Sequence, residues 1–215
     1  MIVSNEPNVV FDRTSSMYPT AFHKVTNAVF ETSPYSTVYG FVLEGTVKIN
    51  NNKVMEKHEF FSFPHEYAQS LQVMGTAMII TRHGYKGQIV LGGPLEKQGR
   101  LCYINNCSDS LLVYPPRRGD SSMTFLHFPP GIVQDDHTHP SFRMGVIFRG
   151  KGWAVGSTGK YLVEPGSVFV IEEQEIHKFI TEDDHMSVVS FHPDGDWGPT
   201  DHDHTILNRT YVGAK

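Results

Sequence analysis

The sequence lacks the long apolar run that a membrane-spanning helix requires. It contains no stretch of about 18 consecutive apolar residues. Residues 1–16 also lack the basic head and apolar segment of a signal peptide. We therefore expect neither a spanning helix nor a secretory leader, and we predict a cytoplasmic protein.

Charge and cysteine are scarce as well. Charged residues make up 19% of the 215 residues, the net charge is -5 at pH 7, and the cysteines are Cys102 and Cys107. A mildly acidic chain does not favour nucleic acid or anionic lipid as a partner. The two cysteines could form a disulfide or part of a metal site, but reduced thiols are the commoner state in the cytoplasm.

No segment shows a long helical period. Short β-prone runs, broken by glycine, proline and asparagine, follow one another along most of the chain, and this spacing is typical of a sandwich or barrel. Hydrophobic residues, at 39%, suffice for a core. The first twenty residues are interpreted as an irregular arm. The predicted strands are 21–30, 37–43, 46–49, 60–63, 71–73, 77–82, 89–91, 111–114, 168–171, 178–181 and 186–191.

Two histidines, His137 and His139, are separated by one residue. If they lie on a strand, both side chains point to the same side, and two neutral imidazoles make half of a metal site. Two unrelated surface histidines would give the same pattern. His177 follows a Pro-Gly turn and a short β-prone run, and an antiparallel arrangement could bring it to the pair.

These residues resemble the two motifs of the cupins. Gly131, five residues, His137-x-His139 and then Gly150 are similar to the first motif, and Pro165-Gly166 through His177 is similar to the second. The resemblance implies a small β-barrel with a metal bound inside by side chains of both motifs. The glutamate ligand that the first motif usually carries is missing, since Arg143 and Met144 stand there. The chain therefore resembles the three-histidine cupins, among which mononuclear iron dioxygenases are common.

An internal repeat runs through the chain at an offset of about 105 residues. Residues 40–45 (GFVLEG) match residues 145–150 (GVIFRG). The first half therefore resembles a barrel that has lost its site, and His58 and His65 within it are predicted to be surface residues. On this alignment His137, His139 and His177 fall on Thr32, Pro34 and Gln69, and Gly166 falls roughly on His58.

The predicted fold is all-β, with two cupin barrels (double-stranded β-helix or jelly roll) in tandem. The predicted divisions are an arm (1–20), a degenerate barrel (21–83), a linker with edge strands (84–119), a metal-binding barrel (120–192) and a tail (193–215). The arm could cover the sheet edge of a neighbouring copy, so we also predict a homodimer.

Three imidazoles leave two or three coordination positions of a divalent ion open, as catalytic sites do. Without a carboxylate the site keeps its full positive charge, which favours an anionic ligand. Nitrogen ligands suit Fe, Ni, Cu or Zn, with Mn also possible. The family resemblance places Fe(II) first.

Arg143 lies four residues after His139, so on a regular strand it faces the same interior. It could anchor an anionic substrate, pair with Asp135 or Asp136, or be turned outward by a bulge. His127 could face the barrel or solvent, and His192 has no assigned role. His202 and His204 form either a second, adventitious metal site or part of a polar tail.

The sequence therefore predicts a metal-dependent cupin enzyme, of the dioxygenase type, acting on a small anionic or enolisable molecule. A non-catalytic ligand-binding or sensor cupin is the alternative, as is a metal-dependent isomerase or lyase.

Overall fold

The structure, a computed structural model, describes residues 1–50 and 53–194. Within these ranges the chain is almost entirely β, with one 3-10 turn (Ile104–Asn106). No helix in the described ranges is long and apolar enough to cross a membrane. The first half contains β1 (Ile2–Ser4), β2 (Val9–Arg13), β3 (Thr20–Thr26), β4 (Val29–Glu31), β5 (Ser36–Ile49), β6 (Lys53–Met55), β7 (Phe60–Pro64), β8 (Ser70–His83) and β9 (Val90–Gly92). The second half contains β10 (Leu101–Cys102), β11 (Ser108–Val113), β12 (Ser122–Phe128), β13 (Arg143–Gly150), β14 (Gly152–Gly156), β15 (Gly159–Val163), β16 (Val168–Ile171), β17 (Lys178–Ile180) and β18 (Met186–His192).

The C-terminal half is built from two sheets. The larger has the order β1-β16-β13-β18-β12-β11-β10, and the smaller has the order β15-β14-β17. All pairings are antiparallel. Apolar side chains of both sheets, among them Phe128, Phe169 and Phe179, pack against one another.

The N-terminal half is one eight-stranded sheet. Its order is β2-β3-β8-β5-β7-β9, with β4 on β8 and β6 on β5. Residues of β5, β6, β7 and β8 form an apolar cluster, which includes Val38, Phe61, Phe63 and Leu71. Where the C-terminal half has a cavity lined by histidines, this half has a packed apolar core.

The two halves share a third apolar cluster. Phe148 of β13 lies with its ring centroid 4.9 Å from that of Phe41 and 5.7 Å from that of Phe125. Tyr39 meets Phe191 at 4.9 Å. These aromatic contacts, with Nζ of Lys24 donating to the Gly166 carbonyl at 2.7 Å, join the halves face to face.

The sequence repeat recurs in the backbone. A register shift interrupts the β5–β8 ladder between Val42 and Glu44, and another interrupts the β13–β18 ladder between Ile147 and Arg149, at the same offset of 105 residues. The predicted partners His58 and Gly166 both have positive φ, 65° and 95°. The backbone N–H of His58 donates to the carbonyl of Val42, and that of Gly166 donates to the carbonyl of Ile147, the equivalent residue of the repeat.

The structure corrects several expectations about the elements. The sheets are open, so two closed barrels are not seen in the described residues, although the all-β architecture is present. The arm is not irregular, because β1 pairs with β16 and β2 with β3. The segment expected as one strand over 21–30 is divided into β3 and β4, because Asn27 turns the chain with φ 48°.

Candidate metal site

The three histidines of the predicted motifs meet on one wall of the C-terminal half. His137 and His177 form an isolated antiparallel bridge, in which each backbone N–H donates to the other's carbonyl at 3.1 and 3.0 Å. The carbonyl of His139 accepts from the backbone N–H of Gln174 at 2.9 Å. The His-x-His segment is therefore extended and held by single bridges, and is not part of a regular strand.

The donor atoms of the three imidazoles lie within 4.8 Å of one another. The ring centroids are 4.3 Å apart for His137 and His177, 5.0 Å for His139 and His177, and 5.2 Å for His137 and His139. No other group of His, Cys, Asp or Glu among residues 1–50 and 53–194 has this arrangement. The spacing suits three ligands around one ion.

Backbone carbonyls fix the tautomers of two of these rings. Nδ1 of His137 lies 2.9 Å from the Asp135 carbonyl, and Nδ1 of His177 lies 2.9 Å from the Glu175 carbonyl. A carbonyl can only accept, so both Nδ1 atoms carry the hydrogen and both Nε2 lone pairs are free. This is the outer hydrogen bond that metal-binding histidines usually make, and the donor set therefore fits a divalent transition metal.

Burial keeps two of the three imidazoles, those of His139 and His177, neutral. Desolvation, with the positive charge of Arg143, lowers the pKa of His139 to about 3. Desolvation also lowers the pKa of His177 to about 4. Neutral imidazole is the form that binds metals, so protons do not compete at these two rings at neutral pH.

Arg143 begins β13 and is 1% exposed. Its Nη1 donates to the carbonyl of Ser141 at 3.0 Å and to Ser141 Oγ at 2.5 Å. The nearest described carboxylate is Asp194, with Oδ1 3.9 Å from Nη1. The expected alternatives do not pair with it, because Asp136 binds Lys178 and Asp135 binds Asn105. Arg143 is therefore buried in the interior, although the regular strand from His139 to Arg143 on which the even spacing depended is absent.

A cavity of about 210 Å³ opens beside the three histidines, and Arg143 lies in its wall. Much of the cavity lining is apolar, with Phe169, Phe179 and Val188 among the lining residues. Larger depressions elsewhere, such as one of about 680 Å³ over the N-terminal sheet, are more open and contain none of the three histidines. The enclosed C-terminal cavity is therefore the candidate ligand site.

Two cavity residues were not identified from the sequence. His192 ends β18, with Nε2 3.3 Å from Thr124 Oγ1 and a buried Nδ1 that has no hydrogen-bond partner among the described residues. Burial holds the pKa of His192 well below its ordinary value. Asp109 of β11 lines the same cavity, and burial raises the pKa of this carboxyl to about 6. The signal for His192 was its even spacing from Val188 and Ser190 on one strand.

The remaining histidines lie away from the cavity or outside the description. His127 is buried, with Nδ1 3.2 Å from Ser187 Oγ and its ring 5.7 Å from that of His185. His58 is half-buried and stacks on Phe41, so it is not the surface residue expected. His202 and His204 lie outside the described residues.

The N-terminal half has one of the two backbone hydrogen bonds of this bridge, without the ligands. The N–H of Thr32 donates to the Gln69 carbonyl at 2.8 Å, as that of His137 does to His177. Thr32 Oγ1 lies 2.7 Å from Nδ1 of His65, which is therefore also half-buried and bonded and not at the surface. Pro34 and Val38 stand where the repeat places His139 and Arg143.

Comparison with protein families supports the cupin resemblance. Residues 125–205 match the family model described as an AraC-like ligand binding domain. No curated protein sequence matches the chain. The family match covers the half that contains the three histidines.

Solved structures of similar fold include several cupins. A cupin 2 conserved barrel domain protein from Leptotrichia buccalis is 15% identical, with 89% of this chain and 91% of that chain covered and a TM-score of 0.60. A putative glyoxylate induced protein from Pseudomonas aeruginosa is 14% identical, with 92% and 83% covered and a TM-score of 0.68. A salicylate 1,2-dioxygenase from Pseudoaminobacter salicylatoxidans is 9% identical, with 80% and 68% covered and a TM-score of 0.60.

These likenesses establish the fold and leave the activity open. The chain has a cupin fold, all-β and almost without helix, with a three-histidine group in its C-terminal half. An oxalate decarboxylase from Bacillus subtilis shares the fold at 11% identity, with 89% and 73% covered and a TM-score of 0.57. The same scaffold therefore serves proteins of different chemistry.

Proposed function

We propose that this chain is a metal-dependent enzyme of the dioxygenase type that acts on a small anionic or enolisable molecule. Its one divalent metal is bound by His137, His139 and His177, with Fe(II) as the first choice and Ni, Cu, Zn or Mn as the others. The observation that carries the proposal is the set of three imidazole donors within 4.8 Å at the wall of an enclosed cavity. In such a site a bound ion supplies Lewis acidity and, for iron, redox chemistry.

The chain's own residues position the ligand. Three imidazoles bring no negative charge, and Arg143 adds a positive charge to the same cavity. An anionic group is therefore attracted to this end, and Arg143 is proposed as its anchor. The apolar wall formed by Phe169, Phe179 and Val188 limits the water that can share the cavity with the ligand.

The proposal also assigns roles to the first half of the chain and to the connection between the halves. We propose that the chain is a bicupin whose first half (21–83) is a metal-free packing partner of the metal-binding half (120–192), joined by the connection 84–119. Thr32, Pro34 and Gln69 at the motif positions of the first half support this proposal. A cytoplasmic homodimer is part of the same proposal.

The deciding experiment is elemental analysis of protein purified without an affinity tag. We expect about one transition-metal ion per chain, and its near-complete loss in His137→Ala with an unchanged circular dichroism spectrum. His65→Ala is the matched control, because it removes a half-buried histidine of the other half and should keep the metal. Unchanged metal content in His137→Ala would contradict the assignment of His137, His139 and His177 as the metal ligands.

A second candidate function is non-catalytic binding of a small ligand, as in a sensor. The match to an AraC-like ligand binding domain over 125–205 favours it. Oxygen uptake by the Fe(II)-loaded protein with a panel of small acids separates the two. Uptake that depends on a substrate supports the oxygenase, whereas conversion without oxygen uptake indicates an isomerase or lyase. Binding without any conversion indicates the sensor.

A further inference from the structure

A buried acid, Asp109, lines the cavity that contains the histidine group. It lies on β11, is 4% exposed and lines the cavity together with Tyr103 and Gln134. Its Oδ1 has no hydrogen-bond partner within the described part of the chain. Buried carboxyl oxygens in folded proteins are nearly always hydrogen-bonded, so an unbonded one in a ligand cavity indicates a partner supplied by the ligand.

The burial of Asp109 has no structural compensation in the described residues. Desolvation alone shifts its pKa, which it raises to about 6, and no basic side chain of the described residues opposes this by lowering the pKa. Asp120 provides the contrast. It is similarly buried, but it accepts bonds from the backbone N–H and the Nε of Arg117, at 3.2 and 2.9 Å. One buried acid therefore supports a turn, while the other faces the cavity.

The strand register separates Asp109 from the positive part of the cavity. Asp109 is opposite Leu126 on β12. His192 of β18 is opposite Ser122, at the other end of β12. β18 is paired with β13, the strand that begins with Arg143. Ser122 and Leu126 are four residues apart on the same strand, which corresponds to about 13 Å along the sheet at ~3.3 Å per residue. The cavity therefore has a cationic region at the Arg143 rung and an acceptor region at the Asp109 rung.

We propose that the cavity takes a small acid that also bears a hydrogen-bond-donating group at its far end, such as an amine, an amide or a hydroxyl, which Asp109 receives. The inference rests on the proposed function, because the anionic end of this ligand is the part held beside Arg143 and the metal site. Between the two ends the ligand contacts Phe169, Phe179 and Val188. The volume of about 210 Å³ corresponds to about seven water molecules and limits the ligand to a short chain.

The test is calorimetric titration of the metal-loaded full chain with matched carboxylates. The probes are straight-chain carboxylates of three to six carbons, each beside its ω-hydroxy and ω-amino derivatives. At the best length, the wild type should bind the donor-bearing acid roughly tenfold or more tightly than the plain acid, as a hydrogen bond to a charged group implies.

The variants separate the charge of Asp109 from its hydrogen bond. Asp109→Asn keeps the size and one acceptor oxygen, so it should lose the preference for the amine but retain part of that for the hydroxyl. Asp109→Leu should lose both preferences while binding the plain acid as before. Asp120→Asn, which removes the other buried acid, should keep both preferences.

Two outcomes overturn the inference in different ways. If wild type binds metal and plain acids but shows no preference for a donor, or if the preference survives in Asp109→Leu, the role of Asp109 is wrong and the proposed function stands. If the metal-loaded protein binds no carboxylate at all, the anionic-ligand proposal and the role of Asp109 fail together.

Discussion

Arg143 occupies the place where the cupin motif usually carries an acidic ligand. It lines the cavity together with the three histidines. We expect Arg143→Ala to weaken binding of a small carboxylate by about one to two decades, because a charge-assisted contact contributes roughly 1.5–3 kcal/mol. Arg143→Glu should abolish this binding and tighten the metal by restoring a fourth ligand.

Calorimetric titration of the metal-loaded variants with small carboxylates measures both effects. Arg117→Ala is the control, since that arginine is ion-paired with Asp120 and does not line the cavity. Equal affinity of wild type and both Arg143 variants for every carboxylate would make Arg143 a structural residue.

The three histidines could be predicted because their spacing is local and resembles a known motif. Asp109 and His192 could not be identified in the same way, because they reach the cavity only through the pairing of β11, β12 and β18. The carboxylate beside Arg143 is also more distant in sequence than expected. Asp135 and Asp136 were the expected acids, whereas Asp194 lies beside Arg143 from a position 51 residues further along the chain.

At the scale of elements, Gly150 ends β13 in a conformation that only glycine adopts readily. Its φ is 65°, and a Cβ there would overlap the carbonyl oxygen of His185. Gly131 also has positive φ, 76°, but a Cβ there would meet nothing within 4 Å. We expect Gly131→Ala to cost about 1 kcal/mol and Gly150→Ala at least about 3, because the second adds a backbone clash to the strain.

Urea unfolding of both variants measures this difference. Gly45→Ala in the first half should behave like Gly150→Ala, because its φ is 73° and its Cβ would overlap the Met74 carbonyl. Similar losses for Gly131→Ala and Gly150→Ala would show that the close approach of the strands is not the cause.

Most strands were predictable from short β-prone runs, and β16 was predicted with its observed bounds. The long strands were not. The runs 37–43 and 46–49 belong to one strand, β5, because Gly45 continues the ladder to β8 at positive φ beyond a register shift. Local composition marks glycine as a break, and only the partner strand shows whether the ladder continues through it.

At the scale of the whole molecule, the halves share one aromatic core and should unfold together. Phe148→Ala at the junction and Phe63→Ala in the N-terminal core should each cost about 3–5 kcal/mol. Both tryptophans follow residue 150, so fluorescence reports on the second half. We expect fluorescence and circular dichroism to give one coincident urea transition in each variant.

Phe63→Ala is the more decisive test of joint unfolding, because Phe63 lies in the half without tryptophan. An early circular dichroism transition that leaves the fluorescence unchanged would show that the halves unfold independently. The homodimer stays a prediction, to be checked by light scattering. The argument that the N-terminal arm covers the sheet edge of a neighbouring copy is weakened, because β1 of this arm pairs with β16 of its own chain.

The pairing of β1 with β16 also has a consequence for how the protein is made. Ile2 lies opposite Val170, so roughly 165 residues of chain separate the two strands. The N-terminal sheet can form while the polypeptide is still being synthesised, but β1 has no partner until the ribosome has passed the second motif. During that interval β1 stays unpaired, and such open strands invite association between nascent chains. Chaperone demand should therefore peak late in translation, shortly before the third histidine emerges.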